Sequence, residues 1–346
     1  MLPDNIVITD YPGTDLLRLF KKEQPSKVAL LVDENTLKLC YPIIQDSLPE
    51  HIIIQTKSGE ANKNINTCQH IWTELTQNQF DRDAMLIVLG GGLLCDMGGF
   101  CAATYKRGIR FVFLPTTLLA QCDASIGGKL GIDFLNYKNQ IGLFQEPDLN
   151  IIFPGFIKTL PERELKAGFA EIIKHCLISD KQTWEELRSK PFNKIDWPEM
   201  VKHSAELKTG VVDNDRKEKG LRKVLNFGHT IGHAIESYCL QKGVDLLHGE
   251  AVAAGIWTES FLSAKKNLLS ENRAGQIQAY IDNIYPRIAL EKLEIEKVCA
   301  YLLQDKKNKE GKIKAAIITD IGNVRWDFEI TQAEVADALE AYRHQV

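Results

Sequence analysis

Three histidines, His229, His233 and His248, lie within twenty residues of one another, and each has a glycine neighbour. Neutral imidazole is the commonest protein ligand for a divalent metal. A small neighbour leaves room for a metal or a ligand to approach the ring. If the three side chains meet in the folded chain, they predict a metal-dependent reaction centre.

Local spacing favours a pairing of His229 with His233, because residues four apart lie on the same face of a helix. A catalytic zinc site usually has three protein ligands and one open position. The other candidate ligands share an imidazole or carboxylate group and lie after residue 160: His248, Glu250, Glu236 and Glu171. The residue pattern alone leaves the choice among them open.

A possible phosphate site follows the apolar run 85–89, where Gly90–Gly92 precede a helical pattern. Glycines let the backbone approach a phosphate closely, and a helix N-terminus supplies N–H donors. The Gly-x-Gly-x-x-Gly pattern is absent, so a plain strand-to-helix turn explains this motif equally well. Thr116 and Thr117 after the next apolar run, and Lys129 after two glycines, strengthen the phosphate interpretation.

The elements that would position these groups change in type near residues 155–160. Before that point, short β-rich runs alternate with helical patterns, which predicts a parallel sheet covered by helices. The predicted strands are 28–32, 52–55, 85–89, 111–114 and 150–153, and the predicted helices are 36–48, 66–77 and 96–105. After it, helices are predicted at 162–178, 197–208, 227–238 and 249–263, with one strand-like run at 314–319.

The composition limits the partners of this 346-residue chain. Its net charge of -4 gives no overall attraction to nucleic acid or to an anionic membrane. The start shows no signal-peptide pattern, and no apolar run reaches the roughly 20 residues that span a bilayer. The eight cysteines contain no Cys-x-x-Cys pair. Buried thiols in a cytoplasmic protein are therefore expected.

Taken in order, these motifs resemble the 3-dehydroquinate synthase family of sugar-phosphate cyclases, from about residue 33 to residue 322. The resemblance rests on Gly90–Gly92 with Asp96, Arg107-Gly108, Pro115–Gln121, Gly127–Lys129, Lys138-Asn139, Ala170–Lys174, Leu225–Glu236 and His248–Val252. It implies a Rossmann-like NAD-binding α/β domain over 1–157 and an all-α metal- and substrate-binding domain over 158–346. It also implies a homodimer.

The resemblance implies specific roles for site residues. It assigns the metal, zinc or cobalt, to Glu171, His229 and His248, and turns His233 towards the substrate. The residues implied to contact NAD are Asp33, Asn35, Glu60, Lys63, Gly91, Gly92, Leu93, Leu94, Cys95, Asp96, Thr116, Thr117, Lys129, Lys138, Phe156, Ile157, Lys158 and Thr159. Those implied to contact substrate are Asp123, Lys129, Asn139, Lys174, Lys208, Arg222, Asn226, His233 and one of Lys306 and Lys307. Arg107 matches an arginine that reaches a neighbouring subunit's site.

The implied reaction converts 3-deoxy-D-arabino-heptulosonate 7-phosphate into 3-dehydroquinate and phosphate, a step in aromatic amino acid biosynthesis. It proceeds by transient oxidation, phosphate elimination, reduction, ring opening and an internal aldol closure. Two alternatives stay open: a cyclase that makes a valiolone or an inosose, and a metal-dependent polyol dehydrogenase. Arg222 favours a substrate with a carboxylate. A dehydrogenase would accumulate NADH, whereas a cyclase would not.

Overall fold

The computed structural model describes residues 2–135, 137–304 and 313–344. The chain divides into two units, Met1–Leu165 with Trp197–Thr209, and Lys166–Asp196 with Gly210–Val346. The domain boundary expected at 157/158 stays a prediction. Within the described ranges, no helix has the length and apolar character required to cross a lipid bilayer.

The first unit is built on a parallel sheet of six strands. They are β1 (Ile6–Ile8), β2 (Val28–Asp33), β3 (His51–Thr56), β4 (Met85–Gly90), β5 (Arg110–Pro115) and β8 (Leu149–Ile152). Their order is β1-β8-β5-β4-β2-β3, and each neighbouring pair runs parallel. The chain runs outward from β2 to β3 and then returns to β4 on the other side of β2. That reversal makes a crevice at the carboxyl ends of β2 and β4, where ligands of open α/β sheets bind.

The central strands β2, β4 and β5 are buried on both faces, which explains why they are almost purely apolar. Alternate residues of β4 point to opposite sides: Leu86 and Val88 pack in one core cluster, whereas Met85, Ile87 and Leu89 pack in the other. A parallel strand covered on both faces has no polar side. For that reason the apolar runs in the sequence predicted these strands well.

Before residue 145, the described part of this unit also contains five α-helices and a hairpin. The helices are α1 (Pro12–Glu23), α2 (Glu34–Leu39), α3 (Tyr41–Ile44), α4 (Ile65–Gln77) and α5 (Gly92–Thr104). Strands β6 (Lys129–Phe134) and β7 (Tyr137–Phe144) form the antiparallel hairpin. The single helix predicted over 36–48 is wrong, because the structure has a break at Cys40 between α2 and α3. Pro42 lacks an N–H and so cannot donate to the carbonyl of Lys38, which explains why α2 does not continue.

Helices dominate the chain from residue 162 onward, as the sequence predicted. They are α6 (Glu162–Ser179), α7 (Lys181–Ser189), α8 (Trp197–Asn214), α9 (His229–Gln241), α10 (His248–Lys265), α11 (Glu271–Ile284), α12 (Lys292–Gln304) and α13 (Gln332–His344). The strand-like run at 314–319 lies in β9 (Ile313–Asp320), which pairs with β10 (Asn323–Ile330) as an antiparallel hairpin. All eight cysteines are buried, and none in the described ranges forms a disulfide.

Helices α9 and α10 approach so closely that only glycine fits at the contact. A Cβ built on Gly255 of α10 would overlap the carbonyl oxygen of Gly228. A Cβ on Gly232 of α9 would lie 2.9 Å from the carbonyl oxygen of Ala251. Gly228 also has φ +80°, a conformation that favours glycine. The glycines before His229 and His233 thus serve helix packing, and the sequence interpretation that they open the histidines to a ligand is corrected.

We expect Gly255→Ala to lower the free energy of unfolding by about 3 kcal/mol, because the methyl group must push two backbones apart. The matched control is Gly275→Ala in α11, where a Cβ would meet no heavy atom within 4 Å. That substitution should raise stability by up to about 1 kcal/mol, since alanine favours helix over glycine. Denaturant titration of both variants checks the difference. Equal midpoints would show that the contact between α9 and α10 is not tight.

Candidate functional site

The residues predicted to bind NAD collect at the carboxyl ends of neighbouring strands in the first unit. Asp33 ends β2, Gly91 and Gly92 follow β4, and Thr116 follows β5. Because β2, β4 and β5 are adjacent in the sheet, these groups share one edge. The 156–159 segment lies in a short 3-10 helix directly after β8, the other neighbour of β5.

Helix α5 has an N-terminus suited to a phosphate. Asp33 caps α2 by accepting the backbone N–H groups of Asn35 and Thr36 at 2.9 and 2.7 Å. In contrast, α5 begins after Gly91 with no side-chain cap from the described residues. A helix N-terminus with uncapped N–H groups fits a pyrophosphate. Leu93, Leu94, Cys95 and Asp96 form the first turns of this helix.

A buried lysine connects several of these predicted residues. The Lys63 ammonium lies 2.6 Å from the Asp96 carboxylate and 2.7 Å from the Asn139 side-chain oxygen. Burial raises the pKa of Asp96, and Lys63 acts in the opposite direction. Nearby, Lys138 lies 3.3 Å from Glu60. The structure therefore brings four residues predicted to contact NAD together with Asn139, which was predicted to contact substrate.

The other predicted substrate residues of the first unit include a second buried cation. Lys208 lies 2.9 Å from the Asp123 carboxylate and also donates to the Asp123 backbone carbonyl. Lys129 begins β6 with an exposed side chain, and Arg107 follows α5 in a left-handed conformation with φ +71°. Thr117 lies beside the glycine turn, where a Cβ on Gly91 would come within 3.0 Å of its methyl group.

The candidate metal centre in the second unit is organised around one buried carboxylate. Glu171 in α6 is fully buried, and its Oε1 lies 3.3 Å from Nε2 of His229 and 3.6 Å from Nε2 of His248. The other carboxylate oxygen, Oε2, forms an ion pair with the Lys174 ammonium. Ligand atoms around a tetrahedral zinc lie about 3.3 Å apart. The three side chains therefore fit a zinc-sized divalent ion.

Both histidine rings are held so that Nε2 faces Glu171. Nδ1 of His229 lies 3.2 Å from the carbonyl oxygen of Phe227, and Nδ1 of His248 lies 3.3 Å from the Glu236 carboxylate. An Nδ1–H that donates to oxygen leaves the Nε2 lone pair available to a metal. Glu236, a candidate ligand from the sequence, is thus placed to orient a ligand.

Electrostatics at this centre keep Glu171 ionised. Burial works against the charge, but the Lys174 ammonium and the His229 ring outweigh it and hold the pKa of Glu171 well below its usual range. Burial and Lys174 lower the pKa of His229. Burial also disfavours the charge on His248, yet Glu171 and Glu236 together raise its pKa to about 10. An ionised Glu171 and a neutral His229 are the states that metal binding requires, whereas His248 must release a proton when a metal binds.

His233 lies beside this centre and is exposed. One ring nitrogen from each of His229, His233 and His248 lies within 4.8 Å of the others. The cluster therefore contains four potential ligands, and a set of three histidines is a second geometric possibility. The two sets differ in Glu171 and His233, and the family resemblance implies the set that contains Glu171.

The surroundings of His233 include groups for an anionic ligand. A small open cavity is lined by Asn226, His229, His233, Lys314 and Trp326, among others. The Asn226 amide donates to Glu218 at 2.8 Å. Sequence reasoning missed Glu218, Lys314 and Trp326, because they come from a loop and a hairpin with no motif of their own.

Arg222 is buried, and its guanidinium donates to the carbonyl oxygen of Arg216 at 2.9 Å. Its backbone N–H donates to the Asp215 carboxylate, which also accepts from Lys219 and Gly220. One aspartate thus holds the loop that carries the predicted carboxylate-binding arginine. Lys306 and Lys307 lie outside the described residues.

Comparisons with known proteins give consistent results. The family model for the N-terminal part of 3-dehydroquinate synthase matches residues 53–167, and the model for its C-terminal part matches residues 168–308. The 3-dehydroquinate synthase of Parabacteroides distasonis is 35% identical over 348 aligned residues, which cover 99% of each chain.

Two solved structures share the fold. A 2-epi-5-epi-valiolone synthase from Streptomyces hygroscopicus subsp. jinggangensis, with NAD+ and Zn2+ bound, superimposes with a TM-score of 0.86 at 24% identity, covering 100% of this chain and 98% of the other. A 2-deoxy-scyllo-inosose synthase, complexed with carbaglucose-6-phosphate, NAD+ and Co2+, gives 0.85 at 20% identity, covering 99% and 96%. These likenesses confirm the predicted fold class.

Proposed function

The chain belongs to the 3-dehydroquinate synthase family, and we propose that it converts 3-deoxy-D-arabino-heptulosonate 7-phosphate into 3-dehydroquinate and inorganic phosphate. The observation that carries this proposal is the buried Glu171 carboxylate, which faces the Nε2 atoms of His229 and His248. We propose that these three side chains hold the divalent metal, zinc or cobalt, and that NAD binds at the sheet edge of the first unit.

In this proposal the cofactors supply the redox chemistry and the polarisation of the substrate, and the side chains bind and orient the reacting molecules. When bound, NAD supplies an oxidation of a carbinol that is reversed within the same turnover, and a divalent metal polarises the substrate hydroxyl that it holds. The uncapped N-terminus of α5 binds the NAD pyrophosphate. Lys63 contacts both Asp96 in α5 and Asn139, and it thereby holds Asn139 next to the start of α5. In this proposal Asn139 orients the substrate.

The substrate's two anionic ends require cations that the net charge of the chain does not supply. The family resemblance supports Lys129, Lys174, Lys208 and Arg222 as these cations. Arg222 suits the carboxylate, because a guanidinium can donate two parallel hydrogen bonds. Lysines suit the phosphate as point charges. Lys306 or Lys307 adds a further phosphate contact.

We expect release of one inorganic phosphate for each dehydroquinate formed when the purified protein receives the heptulosonate phosphate, NAD and Zn2+ or Co2+. NADH should not accumulate, because the oxidation is reversed within each turnover. A colorimetric phosphate assay and the absorbance of NADH measure the two quantities. Failure to release phosphate with either metal would contradict the proposed reaction.

The same assay separates the alternatives. A cyclase that makes a valiolone or an inosose would prefer a sugar phosphate without a carboxylate, and Arg222 argues against that preference. A polyol dehydrogenase would release no phosphate and would accumulate NADH. The assay of phosphate release and NADH therefore tests both the family relation and the predicted cations.

We further propose that the protein is a cytoplasmic homodimer, in which Arg107 reaches the neighbouring subunit's site. The family resemblance supports the dimer. Eight buried cysteines without a disulfide in the described ranges suit a reducing compartment. Light scattering of the purified protein measures its mass against 39.0 kDa for one chain.

A further inference from the structure

A second buried carboxylate lies behind the histidine cluster. Glu259 in α10 is fully buried. Its carboxylate accepts the backbone N–H of Gly228 at 2.6 Å and that of Ile231 at 3.1 Å. The backbone N–H of Thr230 also contributes. These groups form the first turn of α9, whose own N-cap residue, Gly228, has no side chain to cap it. A side chain from another helix therefore caps α9.

Burial and this helix end act in opposite directions on Glu259. Burial raises its pKa to about 8, and the three backbone N–H groups act in the opposite direction. A helix N-terminus carries the positive end of the helix dipole, which favours an anion there. The carboxylate and the first turn of α9 thus satisfy each other in a region that excludes water.

This cap connects the two helices that carry the proposed metal ligands His229 and His248. His229 is the first residue of α9, and His248 is the first residue of α10, the helix that carries Glu259. One turn before Glu259, Gly255 brings the two backbones into contact at Gly228. Glu259 therefore ties the start of one ligand-bearing helix to the body of the other.

We propose that Glu259 is a positioning residue that holds His229 in register with His248 and thereby sets the affinity for the metal. This inference rests on the proposed metal site. It differs from the role of Glu236, which contacts the ring of His248 directly. Among the described residues, the Glu259 carboxylate accepts from the backbone around His229 and not from either imidazole, so it acts through that backbone.

The test measures Zn2+ affinity of the full-length, chelator-treated protein by competition with a chromophoric chelator, without NAD or substrate. Glu259→Gln keeps the volume but replaces one acceptor oxygen with an NH2 group, so one of the two backbone donors, Gly228 or Ile231, loses its acceptor. We expect its Kd for Zn2+ to rise about tenfold or more, the usual effect of losing a group that supports a ligand. Thr258→Val is the matched control. Thr258 is buried in the same helix and donates only to the backbone carbonyls of Ala254 and Gly255, so its Kd should stay within about twofold.

Unfolding midpoints of the metal-free proteins separate positioning from stability. A merely structural role would lower the midpoint of Glu259→Gln and leave its Kd unchanged, which would overturn the inference. If Glu259→Gln does not fold, Glu259→Asp decides in the same way, because its shorter side chain cannot reach both donors. Glu171→Gln is the reference for the site: if it binds Zn2+ as tightly as the parent protein, the proposed metal site fails, and the inference fails with it.

Discussion

Replacement of Glu171 by glutamine should abolish stoichiometric metal binding and lower kcat/KM by on the order of 10³-fold. The amide has the same shape as the carboxylate but carries no charge and is a much weaker metal ligand. In the folded chain, Glu171 Oε1 lies 3.3 Å from Nε2 of His229 and 3.6 Å from Nε2 of His248. The amide would leave these two ring nitrogens without an anionic third ligand. Metal content by atomic emission and phosphate release with saturating NAD measure the two effects.

Glu164→Gln is the control for this substitution. Glu164 lies in the same helix, two turns before Glu171, and is only half-buried. The same chemical change there should leave the metal content at one ion per chain and the rate close to that of the parent protein. If Glu171→Gln kept its zinc with unchanged affinity, the three histidines would be the ligands instead.

Replacement of His233 by alanine should leave the metal in place and lower kcat by about 10² to 10³-fold. His233 is exposed and lines the cavity with Asn226, where an anionic ligand fits. Its ring centre lies 5.1 Å from that of His229 and 5.6 Å from that of His248. In the proposed site it contacts substrate, so its loss removes an interaction with the reacting molecule and spares the metal.

His248→Ala is the contrasting variant, because it should lose both the metal and the activity. His70→Ala, at an exposed histidine of α4, should change neither. Isolation of His233→Ala without metal would overturn its assignment to the substrate. The variants at positions 171 and 233 together distinguish the two possible ligand sets, since each set contains only one of these residues.

The framework of the first unit was largely predictable from the sequence. Strands of a covered parallel sheet are short apolar runs, and the turn at Gly90–Gly92 marks where β4 passes into α5. The helical periodicity of 36–48 predicted one helix, but Pro42 divides this segment into α2 and α3. It also missed the hairpin of β6 and β7, because their alternation is broken by glycines and charged residues.

The candidate site divides in a similar way. Residue types and their order were sufficient to indicate a metal centre, a phosphate-binding turn and a set of cations, and the family resemblance indicated which residues belong to each. Spacing along the chain favoured His229 with His233, because helical periodicity reports only on neighbours within a few turns.

The partner that faces His229 in space is Glu171, which comes from a different helix, and no periodic pattern relates two helices so far apart in sequence. The glycines beside the histidines show how sequence position can mislead. Their sequence position suggested open space, whereas the folded chain uses them for backbone contact between α9 and α10. The cap from Glu259 was likewise invisible, because a carboxylate acquires a role from the amides that surround it. Packing of distant elements supplies those neighbours, and only the folded chain contains them.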